Sequence, residues 1–164
     1  MDDPRRQAIA LNGRTWTLLE KADRSEAETA EMIGAAHASL SAWKIAGGPV
    51  EDTRGNWLVA RAYVDAKLAH PALVYAQRTL ALTEAHRATL KDFDLAFAEE
   101  IAARAFATAG DKTTAARHYA EAKRRGEAIA DDGDRTEFFR QFALPPWFGL
   151  AEAAQVPDLT RPAG

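Results

Sequence analysis

One stretch, Asp94 to Arg124, reading DLAFAEEIAARAFATAGDKTTAARHYAEAKR, limits the possible folds more than any other. Good helix formers fill both sides of Gly110-Asp111, and a Gly-Asp pair between two such runs is a tight turn. Ala103 and Phe106 precede the turn, and Ala115, Tyr119 and Ala122 follow it. Small residues therefore stand where two helix backbones must approach, with aromatic rings beside them to fill the gap. The segment predicts a helical hairpin, and the rest of the chain must supply partners for its two apolar faces.

The remaining residues supply more helices. Ser25-x-x-Glu28 has the spacing of a capping box, so a long helix opens there. Ile33, Ala36, Leu40 and Trp43 recur at helical spacing, and Gly47-Gly48-Pro49 is expected to give a left-handed cap and a stop near Ala46. After a short linker to Asp52, a helix from Arg54 to Leu68 carries the stripe Trp57, Ala60, Val64 and Leu68. His70-Pro71 breaks it, and Pro71 suits the first turn of a helix running to His86. Asp92 is placed to cap Phe93 to Thr108, and Lys112 to Ile129 follows the Gly-Asp turn. Asp131-Asp132-Gly133 closes that helix, and Asp134-x-x-Glu137 opens a short aromatic one ended by Pro145-Pro146. Thr15 to Lys21 is a short leading helix. Pro4 and Asn12-Gly13 mark residues 1–14 as a loosely held arm, and residues 151–164 read as a flexible tail. No stretch alternates apolar and polar residues over a strand length, so the class is all-α, with one domain over residues 15–150.

Aligning the second helix of each hairpin on its first small residue pairs Ala30, Ala72 and Ala115, then Gly34, Ala76 and Tyr119, then His37, Thr79 and Ala122. This pattern of drawn-out hairpins resembles a tetratricopeptide repeat (TPR). The segments AAHAS, RGNW and DFDLAFAEE are similar to those of uncharacterised bacterial TPR-like proteins. In such relatives a second His stands directly before the Trp of the second helix, where this chain has Ala42. The resemblance implies a right-handed array of antiparallel hairpins with a C-terminal capping helix, and it implies no activity.

In that architecture the first helix of each hairpin lines a concave groove. The groove positions are Arg54, Trp57, Arg61 and Asp65 in the second hairpin and Phe97, Glu100 and Arg104 in the third. Arg and Trp together suit a recognition surface for a peptide or protein segment. The same residues can equally form inter-helix ion pairs around a half-buried Trp. A polar pocket around His37, Trp57, Asp94 and Glu100, belonging to a small-molecule or metal-binding protein or an enzyme, is the alternative. His37 reads otherwise as a satisfied core histidine, and Asp92 and Asp94 as helix-start carboxylates.

Composition narrows the classes further. The chain has no cysteine, which removes disulfides, thiolate metal sites and a Cys nucleophile. No His-Glu-x-x-His, Gly-rich phosphate loop or Gly-x-Ser-x-Gly elbow is present, so no cofactor and no catalytic residue is assigned. With a formal charge of −3 and interleaved signs, nucleic acid is not the expected partner. No apolar run reaches signal-peptide or membrane-span length, so a cytoplasmic protein with no membrane partner is expected. Phe138, Phe139, Phe142, Trp147 and Phe148 either cap the last hairpin or leave an apolar end that a homodimer would bury.

Overall fold

A computed structural model of the chain describes residues 3–150. Among them are seven helices and no strand: α1 (Pro4–Leu19), α2 (Glu26–Ala46), α3 (Pro49–Asp65), α4 (Ala69–Ala85), α5 (Asp92–Thr108), α6 (Lys112–Glu127) and α7 (Asp132–Phe142). The expected tail, 151–164, lies outside the described residues.

The start of α2 follows the capping chemistry read from the sequence. The Ser25 side chain accepts from the Glu28 amide at 3.1 Å while Glu28 accepts from the Ser25 amide at 2.9 Å, which closes the capping box of α2. Asp111 caps α6 by accepting from the Thr114 amide at 3.1 Å. Gly110 turns the chain with φ of 81°, a left-handed value that a residue without Cβ adopts at little cost.

Other boundaries move. The predicted arm is helical: Asp3 caps α1 through the Arg5 amide at 3.0 Å, and Pro4 occupies the first turn, where its fixed φ suits a helix. Asn12-Gly13 runs through this helix without turning. Tertiary contact prevails over the local turn signal, since Ala8 is fully buried and its carbonyl accepts from the Ser39 hydroxyl of α2 at 2.9 Å. Gly47 does not form the expected left-handed cap; its φ of −114° and ψ of −168° are extended. A Cβ there would lie 2.7 Å from that of Glu51, so close approach is what demands glycine. Helix α3 begins at Pro49, earlier than expected, because Glu51 reaches back to the Gly48 amide at 2.9 Å. It ends at Asp65 with Lys67 in the left-handed region, before the His70-Pro71 break. Asp131, expected to close α6, instead caps α7 through the Asp134 amide at 2.8 Å.

Consecutive helices pack against each other, and α3 also touches α1 and α5. Helix α7 lies against α5 and α6. Alanines allow the close approaches: Ala60, Ala72, Ala96, Ala103, Ala115 and Ala122 are fully buried. In the first pair, however, the buried residues of α2 are Met32, Ala35, Ala36, Ser39, Leu40 and Ala42, while Ala30 and Gly34 are exposed. The alignment on Ala30, Gly34 and His37 therefore does not mark the inward face of α2. A longer connection joins α1 to α2 than joins α3 to α4, and it shifts the register.

Candidate functional site

The first helices of the three pairs share one side of the molecule, and the expected groove residues divide there into two sets. Glu100 and Arg104 have no exposed surface. The Arg104 Nε donates to Glu100 one helical turn earlier, Trp57 Nε1 donates to the other Glu100 oxygen at 3.1 Å, and Arg61 Nη1 stands 3.7 Å from this carboxylate. Arg61 is bound in turn to Asp65 at 2.6 Å, and Asp65 pairs with Arg24 at 3.4 Å. Three guanidiniums and two carboxylates thus form one chain of charge beneath the surface.

This cluster holds the segment after α7. Arg104 donates to the carbonyls of Gln141 at 3.0 Å, Leu144 at 2.9 Å and Pro146 at 3.0 Å, and Arg61 donates to that of Pro145 at 3.0 Å. The Leu144, Pro145 and Pro146 carbonyls lie past the end of α7, the Gln141 carbonyl also accepts from the Leu144 amide at 3.0 Å, and the negative end of the α7 dipole lies toward the same guanidiniums. The Arg104 guanidinium also lies 4.0 Å from the centre of the Trp147 ring. Burial draws Arg104 down to about 10, with Arg61 acting in the same sense and Glu100 against it. It stays cationic at neutral pH. Glu100 and Arg104 are therefore structural, because every face they would present to a partner is covered by the chain itself.

Arg54, Trp57 and Phe97 remain open. Arg54 is half exposed and grips Asp94 with two bonds of 2.9 and 3.0 Å. The hydrogen bond to Asp94 raises the Arg54 guanidinium above its ordinary range. Asp94 itself is buried and also accepts from the Lys91 amide at 3.1 Å, capping α5. Asp92, expected as that cap, instead accepts from the Ala130 amide at 2.9 Å.

Between these side chains lies a cavity of about 280 Å³. Helix α1 contributes Asn12 and Trp16, α3 Arg54 and Trp57, α5 Phe93 and Phe97, and α7 Glu137 and Gln141. Trp16 stacks on Trp57 with centroids 5.7 Å apart, and Phe97 meets Trp57 edge-on at 5.6 Å. The aromatic walls make the cavity mostly apolar, with the Arg54–Asp94 pair at one side. A second cleft, about 520 Å³, opens beyond Trp16 and Gln141, which line both spaces.

His37 does not share the cavity that Trp57 and Asp94 line. Its Nε2 is 2.8 Å from the Tyr63 hydroxyl, and its ring meets Tyr63 and Tyr75 edge-on. Burial lowers its pKa, favouring the neutral ring. The four-residue pocket of His37, Trp57, Asp94 and Glu100 is thus not assembled. Among the described residues no three His, Cys, Asp or Glu side chains converge on a point where a metal ion could sit, and no helix is long and apolar enough to cross a membrane.

Sequence reasoning passed over Trp16, Asn12 and Phe93 as lining residues. Had α1 been extended back through Asn12-Gly13, Asn12 and Trp16 would have appeared four apart on one helical face, a signal that was available. Gln141 and Glu137 reach the cavity only through the placement of α7, for which no local pattern exists. No protein-family model matches the chain, and neither does any curated protein or solved structure.

Proposed function

We propose that this protein is a non-enzymatic, TPR-like binding module that holds a peptide or protein segment on the face built from α1, α3 and α5. The segment is anchored by one large apolar side chain entering the cavity between Trp16, Trp57 and Phe97. The observation that carries the reading is an open cavity with aromatic walls from three different helices beside a half-exposed arginine. Aromatic and arginine side chains around a depression are what binding hot spots are made of.

A library of random peptides displayed on phage and selected on the full chain tests this. Peptides rich in Trp, Phe or Leu are expected to be enriched, and to lose binding to a Trp16→Ala, Arg54→Ala variant. Enrichment that survives the double substitution would place the binding surface elsewhere. A small ligand is the second reading, favoured by a mostly apolar cavity with the Arg54–Asp94 ion pair at one side. A compound that saturates the cavity while no peptide is enriched would select it.

A further inference from the structure

The cleft beyond Trp16 and Gln141 differs in character from the aromatic cavity. Its walls carry Lys21, Arg24, Arg61 and Arg140 with Glu20 and Asp65, each cation already paired with a carboxylate, on a chain whose formal charge is −3. Among the described residues, two buried guanidinium nitrogens of its lining, Arg24 Nε and Arg61 Nη1, have no hydrogen-bond partner. Arg61 is 5% exposed, and its Nη1 is left with a carboxylate oxygen no closer than 3.7 Å. A buried guanidinium nitrogen without a full partner is costly, and an incoming anion relieves that cost.

The outer cations are held only by exposed pairs. Lys21 is bound to Glu28 at 2.6 Å, and Arg140 to Glu137 at 2.8 and 2.7 Å. Exposed pairs of this kind contribute little, so a carboxylate arriving from a partner can exchange with them. Because Trp16 and Gln141 wall both spaces, a group in the cleft and a group in the aromatic cavity are neighbours on one ligand.

We infer that the cleft is a carboxylate site, and that the bound segment is an acidic peptide in which glutamate or aspartate adjoins a large apolar residue. The acidic side chain lies in the cleft near Arg24, Lys21 and Arg140, and the apolar one enters the cavity. This inference rests on the peptide-binding reading above and names the class of peptide.

The test is a titration of the full chain, labelled with ¹⁵N, with unlabelled acetyl-Glu-Glu-Trp-Leu-amide and with its twins carrying Gln or Lys in place of Glu. The indole N–H signals of Trp16 and Trp57 are expected to move, while that of Trp43, which lines neither space, stays. The acidic peptide is expected to bind about tenfold more tightly than the Gln twin, with the difference shrinking as salt is added. In a Lys21→Glu, Arg140→Glu variant, both changes falling on exposed side chains, the order is expected to invert in favour of the Lys twin. Well-dispersed spectra of that variant establish that it folds. Equal binding of the Glu and Gln peptides, with Trp16 and Trp57 still responding, would overturn the carboxylate site and leave the peptide-binding reading standing. No response to any of the three would remove both.

Discussion

Arg54 and Arg104 are the same side chain on neighbouring helices, yet one is half exposed and the other has no exposed surface. That difference separates recognition from architecture on this face. Removing Arg104 leaves the Glu100 carboxylate buried and takes a donor from three carbonyls, of which only that of Gln141 keeps a backbone amide, a change that costs about 3–5 kcal/mol. Arg104→Ala is therefore expected to lower the melting temperature by about 10 °C or more. Arg54→Ala is expected to lose only about 1–2 kcal/mol, because Asp94 keeps its bond to the Lys91 amide. Equal losses by thermal melts would contradict the division. Two surface carboxylates add a small acid-sensitive contribution. Glu28 is drawn down to about 2, chiefly by its hydrogen bond from Lys21, and Glu121 to about 2, chiefly by that from Arg124. Both titrate below the ordinary 4.5, so the stability they add is complete above that value and is lost as pH falls through about 2. Urea midpoints between about pH 5 and 2.5 are expected to fall less steeply in a Glu28→Gln, Glu121→Gln variant, and an unchanged slope would refute the assignment. The four-residue spacing of Glu100 and Arg104 was legible in the sequence. Their complete burial was not, because it depends on residues 141–146 folding over them.

At the scale of elements, the sequence was most legible where side chains act on their own helix. The Ser25–Glu28 box and the Gly110-Asp111 turn are local, and the structure has both. The part of helix α1 before Thr15 reads as an arm in the sequence because Asn12-Gly13 is a strong local turn signal, and packing of Ala8 beneath α2 overrides it. The register of α2 was misplaced for a related reason: alignment on small residues cannot see that Met32, a large one, is the fully buried position. The α1 helix makes a sharp prediction. Gly13 is exposed in mid-helix, and a Cβ added there meets nothing within 4 Å. Gly13→Ala is expected to stabilise the chain by about 0.5–1 kcal/mol through the reduced entropy of the unfolded state. A loosely held arm would give no change in the chemical-denaturation midpoint.

At the scale of the whole molecule, α7 and the turn after it decide what remains of the groove. Phe138, Phe142 and Trp147 are buried against Tyr119, Ala115 and Ala122, and Phe148 is 36% exposed. The aromatic end that suggested a twofold dimer is thus largely covered within one chain. Light scattering at micromolar concentration is expected to return a mass near 17.9 kDa, and twice that mass would require a different apolar surface, such as that around the exposed Ile9 and Ile45. With Arg104 and Glu100 enclosed, the proposed binding is confined to the space framed by Trp16, Trp57, Phe93 and Phe97 and the cleft adjoining it. The most direct test of that claim is a crystal structure of the chain with a peptide selected on it. The account predicts an apolar side chain of the peptide between Trp16, Trp57 and Phe97, with α7 still in place over Arg104. A peptide seated on α2, α4 or α6 with the aromatic cavity empty would contradict it.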